Sequence, residues 1–474
     1  MLFSLCKLHG IEGEMRLGID FGTTHTTAAF YDVHANGDGR SLHFVPLDAA
    51  NKDPHLLRSM IYMTREHETI LGLDAVQTYL RDNTGRIAKL EQKVVGTIEN
   101  TVARVTRAPT EPDGPIVIIY DVIIEEDVSA PGRLLQSIKT GLRDPEYPGT
   151  TIYDQFFTVP ELISILLKHV KARAEDHFQT EMTEVTLGRP VIFSEMADAD
   201  MYAQQRLEEA AKLAGFSHIQ FELEPVAAAL FHTRQFQKPQ MVLVFDFGGG
   251  TLDLTVMQAN AWGETKILAT QGVLVGGDDL DTAVMRGKVA SYFGTESSID
   301  RQNHPFPAHL GAKLDRWQTI PDLSKTENIS IIRQARVNGN NPNGFLALEC
   351  LALKNYGFPL FEVIEQSKRH LSAEELTHLR MNVEDIDLNM ELTRREFQTL
   401  ILEEMAQVQL GIQEVLRKAG LAEKDIDVVV TTGGSSLIPV FKNLLMRRFT
   451  EAEHVHSDTF GSVAAGLAIR ANAE

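Results

Sequence analysis

Two short segments of this 474-residue chain repeat the same residue types in the same order. The first is Leu17-Gly-Ile-Asp20-Phe-Gly22-Thr23-Thr24-His-Thr-Thr-Ala-Ala-Phe30. The second is Val242-Leu-Val-Phe-Asp246-Phe-Gly248-Gly249-Gly250-Thr251-Leu-Asp253-Leu-Thr-Val256. Each reads as an apolar strand ending in Asp, a Gly/Thr turn and a second strand. Glycine lets backbone N–H groups approach an anion with no side chain in the way, and Thr23, Thr24 and Thr251 add hydroxyl donors. Two such turns facing each other could grip the β- and γ-phosphates of a nucleotide from opposite sides. Asp20 and Asp246 then sit at matched strand ends, and a pair of carboxylates with phosphate oxygens suits Mg²⁺, which keeps several waters. A single turn of this kind reads equally well as an ordinary hairpin; the pair argues against that.

Further residues could join the same cleft. Glu224-Pro225 follows a strand and opens a helix, where a carboxylate can order an attacking water or simply answer the helix dipole. Paired glycines stand before helical runs at Gly276-Gly277 and at Gly433-Gly434-Ser435. A helix N-terminus is a ready anion or ribose site, and each is also a plain helix cap.

The elements that must position these residues alternate between strand and helix. Residues 160–176, 202–214 and 225–231 read as helices, and 184–193 and 218–222 as strands. Later, 282–292, 393–419 and 438–449 read as helices, with 427–432 a strand. Gly215 and Gly420 stand as helix stops. This pattern predicts an α/β fold with helices packed on sheet faces. Asp246 lies 226 residues beyond Asp20 (246 − 20). A repeat so long suggests two whole lobes on one plan, not a solenoid unit. Lobe I is expected over residues 15–240 with an insertion at about 49–150, and lobe II over 241–474 with an insertion at about 276–385. Residues 338–344 read as a loop inside a Pro-, Asn- and Ser-rich stretch, 296–345.

Bulk composition narrows the function classes. The chain is 43% hydrophobic and 23% charged, with a net charge of −20. A nucleic-acid binder needs a basic footprint, and basic residues here run no longer than pairs such as Lys368-Arg369. Acidity also disfavours a membrane surface. Cys6 and Cys350 cannot build a disulfide framework or a metal set, and no metal beyond Mg²⁺ is expected. Sparse cysteine fits a reducing compartment, and the first ten residues do not read as a signal peptide, so a cytoplasmic location is expected. Met15, directly before the first strand, is a second candidate start.

The ordered set of blocks resembles the actin/Hsp70/hexokinase ATPase superfamily and, within it, the Hsp70 nucleotide-binding domain. The blocks are Gly18-Ile-Asp-Phe-Gly-Thr-Thr24, Glu224-Pro-Val-Ala-Ala-Ala229, Asp246-Phe-Gly-Gly-Gly-Thr-Leu-Asp253, Gly276-Gly-Asp-Asp-Leu-Asp281 and Gly433-Gly-Ser435. A sixth, Glu365-Gln-Ser-Lys368-Arg369-His-Leu-Ser372, looks like the helix on which Hsp70 proteins hold the adenosine. The resemblance implies a two-lobed actin-like ATPase fold, built from duplicated ribonuclease H-like lobes with inserted subdomains. It implies ATP or ADP with Mg²⁺ held by Asp20 and Asp246. Gly22, Thr23, Thr24, Gly248, Gly249, Gly250 and Thr251 would line the phosphates. Lys139 would face the γ-phosphate, with Thr251, Glu224 and Asp253 in the reaction. Gly276, Gly277, Glu365, Lys368, Arg369, Ser372, Gly433, Gly434 and Ser435 would frame the nucleoside.

Three departures from the family pattern stand out. Leu437 replaces an Arg that usually stacks on adenine. The chain ends at Glu474 without the linker and β-sandwich of a full Hsp70, and its insertions are longer. The pattern is similar to short bacterial Hsp70-like proteins of the YegD type, which implies a chaperone-type role with slow ATP hydrolysis and a protein client or partner. An MreB-like filament former shares the turns, but Asp253 and Ser372 follow the Hsp70 pattern. A small-molecule kinase of the sugar-kinase branch would need a sugar signature; none stands out, and residues 296–345 could hold one.

Overall fold

Each of the two Asp-Phe-Gly segments folds as the centre of its own mixed sheet. The computed structural model describes residues 15–32, 41–102, 116–194, 196–233, 236, 238–260, 265–456 and 461–472. The first sheet runs in the order His218–Leu223, Glu184–Arg189, Arg16–Phe21, His25–Asp32, Ser41–Phe44, with Leu57–Arg58 paired to His25–Asp32. The second runs Glu453–His456, Val428–Thr432, Gln240–Phe247, Leu252–Ala259, Thr265–Val273.

The two orders are the same topology. Arg16–Phe21 pairs antiparallel with His25–Asp32 and parallel with Glu184–Arg189. Gln240–Phe247 likewise pairs antiparallel with Leu252–Ala259 and parallel with Val428–Thr432. Outside these, each sheet adds one more parallel strand on one side and one more antiparallel strand on the other. The fold is therefore the expected two-lobed α/β architecture. The central strands are nearly continuous apolar runs, as burial on both faces requires: Leu17, Ile19, Phe21, Leu243, Phe245 and Phe247 are all fully buried.

Helices cover the faces, and several differ from the reading by pattern. The helix expected over 160–176 is Val159–Phe178, entered through a capping box between Thr158 and Glu161. The strand expected to reach residue 193 stops at Arg189, just before Pro190, which has no N–H for a ladder. The helix expected from 202 begins at Ala197. The single helix expected over 393–419 is two, Arg394–Leu400 and Leu402–Ala419, with Gly420 in the left-handed conformation after it. The helix expected over 282–292 is α-helical only across Gly277–Val284, then widens to a π turn and tightens to a 3-10 turn. The loop expected over 338–344 is shorter. Asn341 caps a new helix, Pro342–Leu353, and Pro342 fits its first turn.

The insertions add elements beyond the two main sheets. In the first, Ile61–Thr64 joins Thr69–Leu71 and Gly132–Leu135, while Leu90–Val102 and Ile116–Asp127 form a long two-stranded hairpin. In the second, the helices Thr326–Asn338 and Pro342–Leu353 pack together. The last helix, Ser462–Asn472, was expected with the second lobe, yet it packs on the first sheet and on the helix Glu224–Thr233. Asn472 closes this contact, accepting from the Arg16 N–H at 3.3 Å and donating to its carbonyl at 2.8 Å.

Candidate functional site

The two Gly/Thr turns have the same internal geometry. Gly22 N–H donates to the His25 carbonyl at 3.0 Å, and Gly248 N–H donates to the Thr251 carbonyl at 3.0 Å. Both turns lie at the carboxyl ends of central strands, where open α/β sheets place their ligands. They face each other closely. A Cβ built on Gly249 would lie 2.5 Å from Thr24 Cγ2, and one on Gly250 would lie 3.6 Å from Thr23 Cγ2. The glycines at 249 and 250 thus leave room for the opposite turn.

Between the turns lies a cavity of about 740 Å³, within the usual range for a small-molecule site. Asp20, Gly22, Thr23, Thr24, Lys139, Glu224, Asp246, Gly248, Gly249, Gly250, Thr251 and Asp253 line its phosphate end. Gly277, Glu365, Lys368, Arg369, Ser372, Gly433, Gly434 and Ser435 line it from the second lobe, together with Leu437. Gly276 alone among the expected residues does not line it. It stands behind the second turn, where a Cβ would come within 2.2 Å of the Gly249 carbonyl. The next two amides fasten that turn, Gly277 N–H to Gly248 O at 3.0 Å and Asp278 N–H to Gly249 O at 2.9 Å.

Other expected nucleoside residues also have structural partners. Ser435 Oγ donates to the Gly248 carbonyl at 2.9 Å. Lys368 Nζ donates to the Gly277 carbonyl at 2.8 Å and to Asp281 Oδ2 at 2.7 Å. Arg369 pairs with Glu365 one helical turn away. Gly433 has φ +80, and a Cβ there would meet the Phe247 carbonyl at 2.3 Å, so only glycine fits.

Charge at the phosphate end is unbalanced. Asp20, Glu224, Asp246 and Asp253 surround a single ammonium, Lys139, which donates to Glu224 Oε1 at 2.7 Å. Burial, reinforced by the charge of Glu224, pushes the carboxyls of Asp20 and Asp253 up to about 7. The same causes raise Asp246 well above the ordinary range. Burial would depress Lys139, but Glu224 and Asp20 outweigh it and hold the ammonium charged. Thr251 Oγ1 donates to Asp253 Oδ2 at 3.1 Å. Such a set of hard oxygen donors, short of positive charge, fits a divalent cation. Among the described residues no three His, Cys, Asp or Glu converge closely enough to ligate one ion by themselves.

Several lining residues carry no signal in the phosphate motifs. Arg58 reaches across the cleft, its Nη2 2.9 Å from Glu362 Oε1 and 3.3 Å from Glu365 Oε2. Asn51, Lys52, Asp53, Leu56 and Met60 line the same mouth. His25, Asp278 and Asp281 lie inside quoted motifs, so their spacing could have flagged them. Arg58 could not be found this way, because its partners lie some 300 residues on. Burial holds His25 down to about 4, with Arg58 and Arg369 adding to it and Glu365 opposing.

A family model described as Hsp70 protein matches residues 136–315 and 358–473. The matched segments include Lys139, Glu224, the second turn, the Glu365–Ser372 block and the Gly433 turn. They leave out the first turn, which the duplicated topology places opposite the second.

Proposed function

The chain belongs to the Hsp70 family, and from that premise we propose that it binds Mg-ATP between its lobes and hydrolyses it slowly, as a chaperone-type protein of the short bacterial kind. The observation that carries this reading is the pair of facing Gly/Thr turns with four carboxylates and one lysine between them. The backbone N–H groups of the turns other than those of Gly22 and Gly248, and the hydroxyls of Thr23 and Thr24, donate to phosphate oxygens, and Thr251 turns its hydroxyl from Asp253 to do the same. Lys139 faces the γ-phosphate and stabilises charge on the transferred group. Glu224 and Asp253 accept hydrogen bonds from the attacking water and orient it. Asp20 and Asp246 hold the hydrated ion; when bound, Mg²⁺ neutralises charge on the β- and γ-phosphates. Glu365, Lys368, Arg369, Ser372, Gly434 and Ser435 frame the nucleoside.

A γ-phosphate gripped by both turns bridges residues 15–240 and 241–456, which we take as the two moving bodies, with the last helix travelling with the first. Hydrolysis removes the bridge and biases the angle between them, and that angle is what a protein client or partner would read. Single-turnover assays with the whole chain test the chemistry. Mg²⁺-dependent release of phosphate is expected, with Lys139→Ala slower by roughly 100-fold or more. Unchanged turnover in Lys139→Ala would remove the lysine from the mechanism, and no hydrolysis by the wild type would remove the ATPase reading itself.

A further inference from the structure

Arg206 lies on the helix Ala197–Leu213 and is only 3% exposed. A buried guanidinium usually sits against a carboxylate. Among the described residues Arg206 forms no such ion pair, and its hydrogen bonds go instead to main-chain carbonyls. Nη1 donates to Gly141 at 2.8 Å, Asp144 at 3.1 Å and Leu142 at 3.4 Å. Nη2 donates to Tyr147 at 2.8 Å and Pro148 at 3.3 Å. The Tyr202 ring lies against the same group, 5.2 Å from Cζ to the ring centroid.

All five carbonyls belong to one stretch, 141–148, which continues the 3-10 turn Ile138–Arg143 that carries Lys139. The last carbonyls of such a turn have no donors of their own, and the planar fork of an arginine can serve several at once. The entrance of the turn is strained: Ser137 takes the left-handed conformation, with φ +56. Arg206 therefore clamps the exit of the turn, beside two backbone bonds, Tyr147 N–H to the Asp144 carbonyl at 3.2 Å and Val159 N–H to the Pro148 carbonyl at 3.1 Å. The helix that carries Arg206 also leads, through Gly215, to the strand His218–Leu223 and directly to Glu224. One helix thus supports both members of the Lys139–Glu224 pair, which lie 85 residues apart in sequence.

We infer that Arg206 is a positioning residue for Lys139. It fixes the main chain of 141–148 so that the ammonium meets Glu224 and the phosphate turns. The inference rests on the ATPase reading for its kinetic consequence, but not for its geometry. An ammonium offers donors from a single point, so lysine at this position cannot serve carbonyls spread over eight residues of chain.

The test uses the full chain as wild type, Arg206→Lys, Lys139→Ala and the double variant. In steady-state and single-turnover hydrolysis of Mg-ATP, Arg206→Lys is expected to lower kcat by roughly 10- to 100-fold. KM should move by less than about threefold. The double variant should be no slower than Lys139→Ala, because the arginine acts through the lysine. Losses that multiply in the double variant, or an unchanged kcat in Arg206→Lys, would overturn the proposal. Hydrogen exchange on the wild type supplies an independent reading, needed if Arg206→Lys does not fold or if the wild type does not turn over ATP. The hydrogen-bonded amides of the stretch, Thr140 N–H to the Ser137 carbonyl at 3.0 Å and Tyr147 N–H to the Asp144 carbonyl at 3.2 Å, should exchange as slowly as those of the 197–213 helix. Exchange there faster by orders of magnitude would exclude the clamp, whatever the enzymology shows.

Discussion

Among the described residues, Lys139 is the cation set among Asp20, Glu224, Asp246 and Asp253, and this imbalance explains why burial and mutual repulsion raise three of those carboxyls. His25, at the other side of the first turn, shows the opposite response. Burial favours its neutral form, and Arg58 and Arg369 add to the effect against Glu365, so its folded value is about 4 against an ordinary 6.5. The sign follows from proton counting. Between those two values the unfolded chain binds a proton at this position that the folded chain refuses. Stability from His25 is therefore complete above about 6.5 and is lost as pH falls toward 4. Relative to His25→Gln, the wild type should lose up to about 3 kcal/mol over that interval. Urea denaturation at a series of pH values measures the difference, and parallel curves for the two proteins would refute it. At this scale the sequence was most informative for the turns. Thr23, Thr24 and Gly248 to Thr251 act within a few residues of one another, so their motif is local and repeats. Arg58 was invisible because its meaning lies in Glu362 and Glu365, supplied by another part of the chain.

Among the elements, the last helix, Ser462–Asn472, explains how Glu224 is held. Its small residues let it lie almost on the backbone of the helix that begins at Glu224. A Cβ on Gly466 would come within 1.8 Å of the Ala227 carbonyl, and one on Gly18 within 2.3 Å of the Ala468 nitrogen. Gly188 completes the fit, since a Cβ there would touch Glu224 Cγ at 3.0 Å and Leu467 Cδ1 at 3.2 Å. Because backbone cannot step aside as a flexible side chain can, Gly466→Ala should destabilise the protein by roughly 1–3 kcal/mol. Gly311→Ala, at a helical glycine whose nearest neighbour would be 4.0 Å away, should be neutral or slightly stabilising. Thermal unfolding of the two variants beside the wild type checks the contrast, and equal shifts would deny the close approach. The helix around Ala464-Ala-Gly466-Leu-Ala468 drew no reading from the sequence, and periodicity could not have named the sheet it packs on. Elements with strong local signals, such as those stopped by Gly215 and Gly420, were legible, whereas the capping box of Thr158 and Glu161 was passed over. The break at Ile401 and the helix opened by Asn341 depend on packing and capping inside a stretch whose composition suggests a loop.

For the whole molecule, the nucleotide cleft is only one of the places where the two halves meet. Arg58 ties the first lobe to Glu362 and Glu365 of the helix Gly357–Ala373. Farther out, Tyr79 of the first insertion packs against both Trp317 and Phe358 of the second half, with ring centroids 6.0 and 5.5 Å away. Trp317 and Phe358 are themselves 5.0 Å apart, edge to face. Trp317 Nε1 also donates to Gln136 Oε1 at 2.7 Å, three residues before Lys139. The duplicated sheets could be anticipated from one repeated motif. This clasp could not, because it joins single aromatic residues from two insertions that read only as interruptions of the plan. If the lobe angle changes as proposed, opening that parts the two insertions would separate it, and the clasp would then help set how readily the cleft opens. Phe358 is buried in the cluster, and its truncation removes both apolar area and two edge-to-face contacts. If about 2 kcal/mol of that loss falls on the closed form, release of a bound nucleotide should quicken about 30-fold in Phe358→Ala. Stopped-flow displacement of a fluorescent ATP analogue from the folded variant measures this directly. A release rate within about threefold of the wild type would mean that the clasp moves as one body with the lobes, and that opening is controlled at Arg58 and the phosphate turns alone.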